Sequence, residues 1–173
     1  LESAGYVRMT VSAMARFGVR VLEDPEGWLV PAACYHSPGA LTVEGDWSNA
    51  AFFLAAGVQV GGLDGGSAQP DRAIGSMLAA FSAEKRALDV RETPDLMPIL
   101  AAVAATTPGE TRVSGAARLR IKESDRLRAM AEGIRAIGGD CDELPDGLVV
   151  RCAQLPEGGT VDAAGDHRIA MAF

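Results

Sequence analysis

The chain has 173 residues, 48% of them hydrophobic and only 5% aromatic, with a net charge of −7. That is enough apolar material for one or two globular domains, and its many glycines and alanines suit close strand–helix packing better than an all-β sandwich. The acidic balance excludes a general nucleic-acid binder. No apolar run reaches the ~20 residues of a membrane span, and "LESAGYVRMT" has neither the basic start nor the apolar core of a signal peptide.

In chain order, "LES" reads as the tail of a strand. "VRMTVSAMARFG" spaces Val7, Val11, Met14 and Phe17 at helical intervals. "VRVLEDPEGWLVP" follows as a hairpin turning at Pro25 to Gly27. Cys34, Cys141 and Cys152 lack CxxC spacing and read as free thiols of a reducing compartment. His36 has no second ligand pair and reads as a loop histidine.

Three later stretches share one plan. "LTVEGDWSNAAFFLAAG" is a short alternating strand, then Asp46, then an apolar helix closed by Gly57. "LDVRETPDLMPILAAVAATTPG" is a strand, Asp95, and a helix with Pro94 near its start and Gly109 beyond its end. "GTVDAAGDHRIAMAF" is a strand, Asp166, and the start of a helix that stops before two turns. Between the last two lies "SDRLRAMAEGIRAIGG", a helix with Ser124 as its predicted N-cap and Gly138 as its stop. The hairpin "DCDELPDGLVVRC" follows it.

The repeating unit is therefore helix, hairpin, strand, Asp, helix. From Phe17 to Asp46 is 29 residues, as it is from Ile137 to Asp166, but from Phe81 to Asp95 it is only 14. Because both flanking units keep the full spacing, the shortfall is read as a missing segment near residues 82–86, with a backbone interruption expected there. Both chain ends read as cut from a longer protein.

An acidic residue at a strand-to-helix junction caps the helix and complements its dipole, and that reading serves for Asp46. Asp95 and Asp166 have more telling neighbours. Arg126 and Arg168 lie near helix starts, where the dipole disfavours cations, and Lys122 lies just upstream. Two guanidiniums and an ammonium so placed would clamp carboxylate and phosphate groups. Independent surface pairs, such as Asp125 with Arg126, remain open on residue types alone.

"IKESDRLRAM", followed about forty residues later by "GDHRIAMAF", with "VEGDWSNAAFFLAAG" and "TPDLMPILAAVAA" upstream, resembles the 5-enolpyruvylshikimate-3-phosphate synthase family. The resemblance runs over nearly the whole chain, which covers less than half of a full member. The sister enzyme acting on UDP-N-acetylglucosamine shares the repeat plan but not the K-E-S-D-R and D-H-R pairing, and none of the three cysteines lies at a strand–helix junction, where its acid would be needed.

The resemblance implies an α/β (α+β) enolpyruvyl transferase fold, in which sheet-plus-helix units form inside-out lobes with the helices within. Residues 1–43 resemble the last repeat of the N-terminal lobe and 44–173 the C-terminal lobe. The implied reaction joins shikimate 3-phosphate to phosphoenolpyruvate and releases phosphate. Asp95 is then the base and Glu123 the proton donor. Ser3, Lys122 and Asp95 bind shikimate 3-phosphate, while Arg126 and Arg168 hold phosphoenolpyruvate. Asp46 and His167 are secondary candidates. The resemblance implies no metal, no cofactor, no nucleic acid and no membrane, and a cytoplasmic monomer. Arg118 stands where the family has a sugar-contacting asparagine. A non-catalytic fragment of the same fold is the alternative.

Overall fold

The computed structural model describes residues 3–173. The strand tail expected at Leu1 and Glu2 lies outside the described residues. Ser3 takes a left-handed conformation (φ 58°) leading into α1, Ala4–Arg16. A short antiparallel hairpin follows, β1 (Leu22–Asp24) and β2 (Gly27–Leu29), held at its turn by Asp24 Oδ1, which accepts from the Glu26 and Gly27 amides.

Helix α2, Trp47–Ala55, starts where Asp46 accepts hydrogen bonds from the Ser48 and Asn49 amides. It is followed by a 3-10 turn at Pro70–Ala73 and by α3, Ile74–Ala79. The expected interruption at 82–86 is absent. Ala83 N–H bonds back to Ala80 C=O at 3.2 Å, and the chain enters β3, Lys85–Asp89, directly. The middle unit thus joins its helix to its strand through a tight turn instead of a hairpin.

A 3-10 turn at Pro94–Leu96 leads into α4, Met97–Thr106, and then β4, Gly109–Ser114. β3 and β4 pair in parallel, with Leu88 opposite Val113, so α4 is the crossover of a βαβ unit. Helix α5, Arg126–Ala136, precedes the hairpin β5 (Asp140–Leu144) and β6 (Gly147–Cys152); the last helix is α6, His167–Ala172. The main sheet has the order β3-β4-β6-β5, with β6 antiparallel to both of its neighbours. A Cβ at Gly147 would lie 1.9 Å from the Val113 carbonyl oxygen, so β6 can begin against β4 only with glycine there.

Helix α4 lies at the centre, against β4, β6, α2, α5 and α6. Its Met97 and Leu100 are fully buried, each contributing roughly 1.5–3 kcal/mol by burial. Its small residues Ala101, Ala104 and Ala105 let neighbouring backbones come close. Strand β3 buries only alternate residues, Arg86 and Leu88. The sheet therefore faces outward and the apolar helix lies inside, which is the inside-out arrangement.

Two expected strands do not form. Residues 41–45 make one sheet-like bond, Gly45 N–H to Gly62 C=O at 2.8 Å, and 159–163 run as irregular chain. A strand needs a neighbouring edge to satisfy its ladder, and neither segment meets one. Helix α5 also starts one residue later than predicted. Asp125 is its N-cap, accepting from the Arg128 amide at 3.1 Å, while Ser124 Oγ donates to Asp166 instead.

Candidate active site

The junctions expected to carry chemistry meet at one edge of the helical core. Arg126 is the first residue of α5 and is 1% exposed. Its Nε donates to Asp166 Oδ2 at 2.7 Å and its NH1 to Asp95 Oδ1 at 2.9 Å. NH2 donates to Glu123 Oε2 at 2.7 Å and to Asp166 Oδ1 at 3.3 Å. Four of its five N–H groups are thus committed to three carboxylates. Burial would lower its pKa, but those carboxylates raise it above the ordinary arginine value.

Asp166 has two tasks. It caps α6 by accepting from the Arg168 amide at 2.9 Å, and it anchors Arg126. Burial alone would raise its pKa. The Arg126 guanidinium, the Arg168 amide and the Ser124 hydroxyl outweigh burial and hold it below the usual carboxylate range. The pair suggested between Asp125 and Arg126 does not form: Asp125 pairs with Arg120 at 3.0 Å.

Asp95 lies at the entry to α4, which the 3-10 turn opened by Pro94 turns toward the edge. It caps nothing. Its Oδ1 meets Arg126 and its Oδ2 meets Arg168 NH2 at 3.2 Å, so one carboxylate bridges both arginines. Arg168 is held on its other side by Ser48 Oγ, which accepts from NH1 at 2.7 Å. Arg126 and Arg168 therefore converge. Their two positive charges face three carboxylates, so this cluster carries a net negative charge.

Glu123 is half exposed and touches the cluster only through Arg126. Its own backbone N–H, opposed by burial and aided by the Arg126 and Lys122 charges, holds its carboxyl below the usual range. It is ionised at neutral pH.

Two adjoining clefts open beside the cluster. One of ≈ 410 Å³ is lined by Asp95, Arg168, Ser48, Asp46, Asp71 and Tyr6, among others. The other, ≈ 380 Å³, is lined by Lys122, Ser3, Tyr6, Arg91 and Arg118, among others. Lys122 is thus beside the paired arginines without joining them, and Tyr6 belongs to both clefts. Ser3 Oγ donates to the Arg91 carbonyl at 3.3 Å. Asp46 is occupied as a helix cap, and His167 is exposed, 3.9 Å from Asp166.

Sequence reasoning missed Tyr6, Ser48 and Asp71. Tyr6 Oη donates to both oxygens of Asp71, at 3.1 and 3.0 Å. Asp71 is 3% exposed. Burial, opposed by the Tyr6 and Ser48 hydroxyls, pushes its carboxyl up to about 6. Burial and Asp71 in turn raise the Tyr6 pKa. The one local hint was "QPDR", an acid in a first turn opened by proline, and that pattern is common at helix starts.

This arrangement of outward sheet, buried helices and charged junctions is the fold of the enolpyruvyl transferases. An EPSP synthase structure from Acinetobacter baumannii matches 96% of this chain and 46% of its own length, with a TM-score of 0.77 and 25% identity. The family model for EPSP synthase (3-phosphoshikimate 1-carboxyvinyltransferase) matches residues 1–64 and 68–173, and the chain belongs to that family.

The 3-phosphoshikimate 1-carboxyvinyltransferases of Clostridium acetobutylicum and Methanopyrus kandleri are 38% and 39% identical over 193 and 195 residues. Each match covers 100% of this chain and 45% of the relative. The chain thus spans about half the length of these relatives. Over the same span their alignments run about 20 residues longer than its 173.

Proposed function

We propose that this chain forms one wall of an active site that transfers the enolpyruvyl group of phosphoenolpyruvate to the 5-hydroxyl of shikimate 3-phosphate. The observation that carries the reading is Asp95, held as a bridge between Arg126 and Arg168 at a cleft wall. In the reaction the 5-oxygen attacks C2 of phosphoenolpyruvate and a proton is added at C3. The C2–O bond to phosphate then breaks, and loss of a C3 proton restores the double bond.

Asp95 accepts the hydroxyl proton, within reach of a group lying in the ≈ 410 Å³ cleft. Arg168 and the remaining N–H of Arg126 hold the anionic groups of phosphoenolpyruvate. Lys122 and Ser3, in the neighbouring cleft, hold shikimate 3-phosphate. Glu123 delivers the proton to C3. Since it is ionised here, it must first take up a proton, and an anionic substrate with exclusion of water would raise its pKa in that direction.

The negative balance of the cluster bears on the chain as a whole. Two polyanionic substrates need further cations, and those come from the opposing wall of a longer protein. The clefts lie where residues 1–43 meet 44–173, which supports a lobe boundary there. The relatives' alignments, about 20 residues longer than this chain over the same span, support a segment missing from it, which we assign to the short middle unit near 82–86. On this reading the protein acts as a cytoplasmic monomer on small molecules, and residues 1–173 alone do not turn over.

The test is phosphate release with both substrates saturating, on this segment and on the full-length protein. Turnover by the segment at a rate comparable to the full-length protein overturns the half-site reading. In the full-length protein Glu123→Gln lowers turnover by ~10²-fold or more while keeping affinity for phosphoenolpyruvate. Near-normal turnover removes Glu123 from the mechanism.

A further inference from the structure

The short arc that carries Lys122 and Glu123 has no apolar anchor. It follows a 3-10 turn, Ala117–Ile121, in which Leu119 is fully buried but Ile121 is 83% exposed. Core burial therefore holds the chain as far as Leu119 and stops there. Helix α5 begins only at Arg126. Polar contacts must fix the residues between, because a loop places reacting groups well only when a rigid scaffold holds it.

Arg120 supplies such contacts. Its Nε donates to the Pro145 carbonyl at 3.1 Å and its NH2 to the Leu144 carbonyl at 2.6 Å, both at the β5–β6 turn. NH1 donates to Glu143 Oε1 at 2.6 Å and to Asp125 Oδ2 at 3.0 Å. Asp125 is the N-cap of α5, so one guanidinium closes the arc and fastens it to the hairpin. The same turn holds the start of this connection, where Ala116 N–H donates to the Asp146 carbonyl at 2.8 Å. Arg126 differs, since Asp95 and Asp166 hold it independently of the hairpin. Among the described residues, Arg120 lines neither cleft. We propose that Arg120 is a positioning residue, a clasp to the β5–β6 turn that sets Lys122 against shikimate 3-phosphate and Glu123 against phosphoenolpyruvate. The inference rests on the transferase reading above.

The experiment pairs steady-state phosphate release with amide hydrogen exchange at residues 121–125 in the full-length protein. It compares Arg120→Met, Arg120→Lys and a control, Arg128→Met, which removes an exposed ion pair with Glu132 on α5. Arg120→Met should speed exchange of those amides about tenfold. It should also lower kcat and raise KM for shikimate 3-phosphate about tenfold each, with KM for phosphoenolpyruvate within about threefold. Arg120→Lys should fall between, because an ammonium lacks the planar fork that joins these partners, and Arg128→Met should change nothing. A merely structural role would reduce the folded fraction, lowering kcat with both KM values unchanged, and that pattern overturns the clasp. Unchanged exchange at 121–125, or an equal rise in both KM values, overturns it too. Should Arg120→Met fail to fold, Glu143→Gln weakens one partner and should show the same pattern at about threefold; parental values there overturn the proposal. Absence of phosphate release by the unsubstituted protein overturns the transferase reading, while exchange at 121–125 still decides whether Arg120 holds the arc.

Discussion

The first and third repeat units follow one local plan and end in very different surroundings. In the first, α1 buries none of its residues, and the hairpin β1–β2 leaves Leu22 and Leu29 about 60% exposed. In the third, α5 buries seven residues and β6 buries Leu148 to Val150 between β4 and β5. Both units place an aspartate 29 residues after the helix end. Asp46 only caps its helix, whereas Asp166 caps its helix and binds Arg126. Local pattern thus builds the unit, but a two-stranded hairpin or a single helix is marginal alone. Neighbours decide which units are buried and which junction aspartate carries a charge network.

The strongest way to test that contrast is Asp166→Ala. It strips Arg126 of the carboxylate bonded to both Nε and NH2, leaving a guanidinium that is 1% exposed with Asp95 and the half-exposed Glu123. Breaking a buried pair at one end typically costs about 3–5 kcal/mol. Urea unfolding of the full-length protein should show a loss of this size, together with loss of turnover. A loss below about 1 kcal/mol would mean that Asp166 is no more than a second Asp46.

A smaller effect separates two carboxylates by pH. The Asp166 pKa is depressed in the folded chain, so its stabilisation is present above the unfolded value and is lost as pH falls through the folded one. Asp71, raised to about 6, behaves oppositely: ionising it costs stability, and that cost grows as pH rises from about 4 to 6. Asp71→Asn should therefore stabilise the protein at pH 7.5 by up to about 2–3 kcal/mol and by nothing near pH 4. A pH-independent difference in melting temperature between variant and parent would contradict the raised value.

Much of this was legible in sequence because it is local. Periodicity marks α1 and α5, an apolar run between an aspartate and a glycine marks α2, Pro94 and Gly109 bracket α4, proline–glycine turns mark both hairpins, and K-E-S-D-R with D-H-R singles out residues that meet around Arg126. What escaped depends on partners distant in the chain. The strands expected at 41–45 and 159–163 have the right alternation but no sheet edge to join. Ser124 and Asp125 are both good caps, and the choice went to Asp125 because Ser124 is drawn to Asp166, 42 residues away. Ser48 and Asp71 are unremarkable at helix starts until folding brings them to Arg168 and Tyr6.

The smallest expected effect is at the other aspartate. Asp46→Ala removes a cap whose Oδ1 accepts from the Ser48 amide at 2.8 Å and the Asn49 amide at 3.2 Å, and whose Oδ2 accepts from the Asn49 side chain at 2.8 Å. No cation pairs with it among the described residues, so no buried charge is orphaned and the cost should be that of a helix cap, about 1 kcal/mol. The backbone that starts α2 keeps one further tie, since Gln69 Oε1 accepts from the Trp47 amide at 2.8 Å. Ser48 therefore stays close to Arg168, and KM for phosphoenolpyruvate should change by less than about threefold. Steady-state kinetics and urea unfolding of this variant, set beside Asp166→Ala, measure both halves of the contrast. A loss of turnover matching that of Asp166→Ala would place Asp46 within the reacting machinery and erase the distinction between the two units.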